Sequence, residues 1–424
     1  MPESPSTESV QSGGPWRVLA AALAVLVTLG IVAGLVFYRL SSRSSGPENV
    51  GRATVNGIGL KCRLPVVAGA AAGFISFPDG TVSLDHSVGI NPYKGGGYAF
   101  TYDAGASRWV PVFPSALSPD GRSYAYLAQT TGVPGVPTSL SLHTHEVVSG
   151  RDHLLWEGAG SLLGPSVTWL PSGIYFMAVL TPDPASLGQV YPTLYVADPN
   201  HAGSPRRVGP NPAPQPLISK DQLVYAGPDT YNFVGGGAAW GLGMRTLQVL
   251  PAPNASSIAG PYGPDRVLRM DLRDGSVSTW YTASGNDFVS IVALDAQGQP
   301  IISLFSPKTP PVENPKVYEP PPARLMLLTG PNQTAAITAG NADFHFGGLV
   351  LADSHGIWFG GWNEVWVYRS SGGLRQAASI PAGVFPSPSP PPGFAAKPGV
   401  VPSGKPGMPA YMHGTLINPA GPCT

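Results

Sequence analysis

One short turn keeps returning along the chain, and it limits the possible folds more than any other feature. It occurs as Phe77-Pro78-Asp79-Gly80, Ser118-Pro119-Asp120-Gly121, Leu170-Pro171-Ser172-Gly173, Ser219-Lys220-Asp221, Asp295-Ala296-Gln297-Gly298 and Asp353-Ser354-His355-Gly356. Proline sets φ at the first turn position, Asp accepts from the amides that follow, and Gly takes a positive φ. Each turn therefore joins two antiparallel strands. Further alternating runs follow each turn, at residues 97–112, 139–158, 193–209, 266–282, 323–339 and 364–378. The turns recur about every 40–60 residues, which suits units of four strands. One longer interval is filled by residues 228–264, a glycine-rich excursion that includes Gly235-Gly236-Gly237.

Composition agrees with a chain made of turns and strands. There are 54 glycines and 49 prolines, which leaves little room for helix. Charged residues are 11 % of the sequence, with 24 Lys and Arg against 24 Asp and Glu. A neutral, charge-poor surface does not bind nucleic acid by displacing counterions.

The strand-turn-strand at residues 114–127, PSALSPDGRSYAYL, resembles the WD40-like repeat of TolB-type β-propellers. Residues 353–359, DSHGIWF, are similar to the Asp-x-x-Gly-x-Trp turn of other extracytoplasmic propellers. The resemblance implies an all-β fold, a propeller of six blades, or seven if the glycine-rich excursion forms its own sheet. It also implies a bacterial envelope protein. The second unit is the best copy, while Ser172-Gly173 and Lys220-Asp221 depart from the pattern.

Residues 18–38 carry no ionisable side chain except the Tyr38 phenol, and Arg17 and Arg39 flank them. At ~1.5 Å per residue they cross a ~30 Å hydrocarbon core once. The expected organisation is a short tail (1–15), one transmembrane helix (16–39), a linker (40–58), the propeller (59–380) and a Pro-rich tail (381–424) that returns a closing strand. Arg39, Arg43 and Arg52 favour a cytoplasmic C-terminal domain by charge alone. Against that stand the small number of charges and the cysteine placement, so the propeller is expected outside the cell membrane. Gly30 and Gly34 permit close packing of two spans, and packing as a monomer in lipid explains them equally.

Cys62 and Cys423 are the only cysteines, one at each end of the folded region. They are expected to form a disulfide, which in the chain-entropy model contributes ~4–5 kcal/mol. Two thiols exclude a zinc site of four cysteines.

Candidate ligand contacts are aromatic. Trp358, Trp362 and Trp366 share strand parity if their strands are unbroken, and offer either a platform for sugars or Pro-rich peptides or packing between sheets. Trp240, set among glycines, is the preferred exposed contact. His143 and His145 share one strand face beside Glu146, without a third metal ligand at a recognisable spacing, and His345, Asp353 and His355 read as turn residues. Asn254 and Asn332 begin acceptor tripeptides for N-glycosylation. Nucleophile elbows, phosphate loops and zinc-protease motifs are missing, so no catalytic residue, metal or cofactor is assigned. The expected role is a binding or scaffolding module for an envelope protein, peptide or glycan. A lyase or glycosidase with its site at the central channel is the alternative.

Overall fold

The computed structural model describes residues 47–69, 71–88, 100–130, 139–180, 193–209, 218–219, 222–223, 230–244, 264–285, 287–305, 324–338, 344, 348–385 and 414–424. Residues 47–424 form one compact unit. The described residues contain strands, turns and one short 3-10 turn, Pro114–Ala116. The membrane-span expectation at 16–39 falls outside them. Among the described residues no helix is long and apolar enough to cross a membrane.

Among the described residues, six antiparallel layers of three or more strands follow one another, beside two two-stranded ladders. Layer I pairs Glu48–Arg52, Thr81–Leu84, Ala71–Ser76 and Arg63–Ala68 in that order. Layer II contains Ser123–Thr130, Ser139–Glu146 and the first half of Asp152–Leu170. The second half of that 19-residue strand opens layer III, with Gly173–Leu180, Thr193–Ala197 and Arg206–Arg207. The register slips between Leu162 and Val167, where Pro165 interrupts donation and lets one strand serve two layers. Layer IV is the meander Thr230–Gly235, Ala238–Met244, Pro264–Asp271, Val277–Thr282. Layer V is Phe288–Leu294, Pro300–Phe305, Arg324–Gly330, Gln333–Ala336, and layer VI is Val350–Asp353, Gly356–Trp362, Glu364–Arg369, Gly373–Ser379.

Period-two alternation sends successive side chains of each layer to opposite neighbours. Ile174, Phe176 and Ala178 pack towards layer II, whereas Tyr175 and Met177 pack with Ala239 and Met270 of layer IV. Ala238 and Trp240 face Ile302 and Leu304 of layer V, while Ile301 meets Phe359 and Trp366 of layer VI. Trp358, Val365 and Val367 of layer VI close onto Leu64, Val66 and Ile75 of layer I. Val67 and Ala72 use the other face of layer I to meet Trp109, in the hairpin before layer II. Sheets stacked face to face in chain order, with the last returning to the first, make a β-propeller.

Both termini close the circuit. Leu416–Pro419 hydrogen-bonds to Arg63–Ala68 of layer I and to Gly361 and Trp362 of layer VI. Cys423 then forms the expected disulfide with Cys62, across a sequence separation of 361. At the opposite sheet edges, Glu48–Arg52 pairs with Thr81–Leu84 and Thr54–Val55 pairs with Ala378 and Ser379. Within the stretch expected as linker, residues 48–52 and 54–55 are strand. Its polar composition suits an outer edge, where one face of the strand stays wet.

The described part of the glycine-rich excursion pairs into a sheet, the alternative that the sequence left open. Residues 230–244 form an ordinary hairpin, closed by Gly236 and Gly237 at φ +58° and +74°. Positive φ at both central positions gives a two-residue turn whose twist matches the strands, so glycine replaces the Pro-Asp-Gly signature. Ile218–Ser219 and Gln222–Leu223 pair as a separate two-stranded ladder around the expected Lys220-Asp221 turn.

Candidate functional site: a cleft between layers III and IV

A cleft of ≈ 620 Å³ opens where the turns of layers III and IV meet. Leu170, Pro171 and Ser172 enter from the first turn of layer III, and Tyr175 follows on the next strand. Gly236 and Gly237 come from the first turn of layer IV, and Asp271, Leu272 and Arg273 from its third. Arg269, two residues before Asp271 and therefore on the same strand face, completes the wall. The cleft lies beside the apolar cluster formed by Tyr175, Met177, Val234 and Met270, onto which Leu170 and Leu272 pack.

Its polar groups are held by one carboxylate. Asp271 is buried, and its side chain accepts from the Arg273 amide at 2.9 Å, Arg273 Nε at 3.1 Å and Arg273 Nη2 at 3.0 Å. Arg269 Nη2 approaches the same carboxylate at 3.5 Å. The Arg273 guanidinium and amide hold the Asp271 carboxyl far below the usual range, and Asp271 in turn raises the Arg273 guanidinium. Arg269 also lies over the rings of Trp240 and Trp280, at 5.9 and 5.4 Å from their centroids, on the side of layer IV that faces layer V. Across from the arginines, Ser172 Oγ and Tyr175 Oη are 3.0 Å apart. Two oriented cations, a hydroxyl pair and apolar walls can bind an extended ligand. They do not form a nucleophile-base-orienter arrangement.

A second polar cluster covers one face of layer II. Asp152 accepts from Tyr126 Oη at 2.9 Å and pairs with His143 Nδ1 at 2.8 Å, with His145 Nδ1 at 3.5 Å. Tyr126 stacks on His143 with centroids 5.0 Å apart, and Tyr124 lies against His145 at 4.9 Å. Burial and the Asp152 hydrogen bond push the Tyr126 phenol up to about 12. Burial raises the Asp152 carboxyl, but the bonds from His143 and Tyr126 outweigh it and bring the carboxyl below its ordinary range. No group of three or more His, Cys, Asp or Glu suited to a metal ion occurs among the described residues.

The aromatic expectations end differently. Trp240 is 4 % exposed, in the core between layers IV and V, so its assignment as an exposed contact is corrected. The glycines around it follow strand alternation and a tight turn and do not mark a free loop. Trp358 and Trp366 are 0 % and 7 % exposed and face opposite neighbours, and only Trp362 is partly exposed. The hairpin pairs Trp358 with Val367 and Phe359 with Trp366. Cross-strand partners share a face, so Trp366 falls on the Phe359 side and no single platform exists. Asp353 is a turn residue that also anchors the C-terminus. Its Oδ1 accepts from the His355 amide and its Oδ2 from the Cys423 amide, at 2.7 and 2.8 Å. His345 and Asn254 lie outside the described residues, and Asn332 is exposed in a hairpin turn at φ +53°.

No protein-family model and no curated protein matches the chain. Among solved structures, the β-propeller domain of the Trilobed protease from Pyrococcus furiosus is similar over 75 % of this chain and 84 % of its own, at 9 % identity and a TM-score of 0.37. An oligogalacturonate lyase in complex with manganese is similar over 74 % and 72 %, at 8 % identity and 0.35. A putative 6-phosphogluconolactonase from Bacteroides fragilis is similar over 76 % and 95 %, at 10 % identity and 0.34. These likenesses carry no statement about activity.

Proposed function

We propose that the chain is an extracytoplasmic, six-bladed β-propeller of the WD40-like, TolB-like kind, held to the cell membrane by residues 16–39, and that it binds a partner through the cleft between layers III and IV. The observation that carries this reading is the cleft itself, where Asp271 holds Arg273, and Arg269 beside it, at a mouth walled by Leu170, Pro171 and Leu272. Five apolar clusters between successive layers, and a sixth between layer I and the hairpin before layer II, support six blades. The Cys62–Cys423 disulfide supports an oxidising compartment, where such bonds persist. The apolar stretch 18–38 supports the anchor.

A photo-crosslinking residue placed at Ser172 of the full chain tests the binding role in intact cells, with Ser149, exposed in a turn of layer II, as the control position. A discrete adduct from position 172 that is missing from position 149 is expected. Equal labelling from both positions, or none from either, contradicts the proposal.

A further inference from the structure

We infer that the cleft recognises an extended peptide segment through one acidic side chain, with Arg273 as the principal contact and Arg269 as its companion. The inference rests on the proposed binding role and specifies the ligand's chemistry.

The guanidinium geometry points to a carboxylate. Arg273 uses its Nε and Nη2 edge on Asp271, at 3.1 and 3.0 Å. A guanidinium has a second donor edge, formed by both terminal nitrogens, which matches a carboxylate fork. With the first edge held by Asp271, the second is directed away from it, on a side chain that is 88 % exposed. Asp271 therefore positions Arg273 and is consumed in doing so. Asp271 and the nearby Asp274 balance the charges of Arg269 and Arg273, so no excess positive charge is left for a phosphate dianion, and recognition rests on the outward guanidinium edge fitting one carboxylate fork.

The remaining walls favour a peptide over a sugar. Sugar sites present an open aromatic face, but the ring of Tyr175 is 5 % exposed and packs into the core. Leu170, Pro171 and Leu272 instead offer small apolar surfaces on both sides of the cations. The Ser172 hydroxyl stands opposite them as a hydrogen-bonding group for a backbone amide or carbonyl. An acidic residue flanked by apolar ones suits this arrangement.

Position in the ring fits a docking role. The chain enters the propeller at Glu48 and ends at Thr424, both at the junction of layers VI and I. The cleft lies at the junction of layers III and IV, three junctions from that seam in either direction.

The test uses the full chain in nanodiscs and a displayed library of random hexapeptides, selected in parallel on the wild type and on Arg273→Gln. Arg273 is largely exposed, so the substitution leaves the fold intact, and the disulfide and the thermal midpoint of the variant verify this. Wild-type selections are expected to enrich Asp or Glu at one fixed position by about tenfold, equivalent to ~1.4 kcal/mol. That preference should disappear with Arg273→Gln while flanking apolar preferences persist. Enrichment without an acidic position, enrichment unchanged by Arg273→Gln, or no enrichment overturns the inference. An adduct from position 172 in cells together with non-acidic hexapeptides would retain the binding role and reject the carboxylate. Failure of both experiments rejects both.

Discussion

Aspartate does the same local work throughout this molecule. Among the described residues, eight aspartates in seven turns, Asp85, Asp103, Asp120, Asp198, Asp271, Asp274, Asp295 and Asp353, accept at Oδ1 from the amide two residues later at 2.7–3.1 Å. This bond replaces part of a backbone turn and explains why the Asp-containing signatures were readable in the sequence. Asp271 adds ion pairs to the turn, so its ionised form is favoured by folding. A depressed folded pKa gives stability that is complete above the unfolded value of ~3.9 and is lost as pH falls through the folded value. Asp271→Asn should therefore lower the urea midpoint at pH 6, and the difference from wild type should shrink as the pH is taken towards 2.5. Tyr126 has the opposite sign. Its phenol, raised to about 12, holds a proton that the unfolded chain releases near ~10, so wild-type stability should fall between those two values. Tyr126→Phe should flatten that slope without abolishing it, because Tyr124 and Tyr281 are raised too, as measured by denaturation at pH 9.5 and 11.5. What residue-level reading missed was the cleft. Arg269, Asp271 and Arg273 looked like one more strand and turn, because sequence alone does not say that a turn of layer IV sits beside a turn of layer III. An Asp with Arg at both the second preceding and second following positions was the available signal.

At the level of elements, strands and their turns were legible, while pairing partners were legible only at the chain ends. Cysteines at both ends and a β-compatible stretch after the Pro-rich tail indicated that the C-terminus returns, and it does so between Arg63–Ala68 and Gly356–Trp362. Asn418 strengthens the seam from a buried site, accepting from the Leu349 amide at 2.8 Å. The N-terminal strand pair was hidden, because Glu48–Arg52 and Thr54–Val55 are too polar to announce themselves. The tryptophan platform failed for a related reason: parity along the sequence reverses across a two-residue turn such as Trp362-Asn363. Seam hydrogen bonds remain when the disulfide is opened, so reduction should weaken the fold without dissolving it. For the 361-residue separation that the structure shows, the chain-entropy model puts the loss at about 6 kcal/mol. Urea unfolding of the wild type with and without reductant measures it, and the double variant Cys62→Ala, Cys423→Ala should show no response to reductant.

For the whole molecule, the described residues bury their apolar side chains in clusters between successive layers, five of them fed by alternate residues of two layers. Such an assembly is rigid at its core and variable at its turns, which is where the cleft lies. Recurrent turns made an all-β repeat fold readable, but the turn expected at residues 219–221 falls in a separate two-stranded ladder, and layer IV is turned by two glycines and not by Pro-Asp-Gly. The side of the membrane was not readable from charge, since three arginines after residue 38 argue one way and the paired cysteines the other. The most direct test is to treat intact cells with external protease and map Cys62 and Cys423 by peptide analysis with and without reduction. A protease-accessible propeller whose two cysteine peptides migrate as one until reduced is the predicted result. A protected domain with both thiols free would contradict an extracytoplasmic, disulfide-closed binding module.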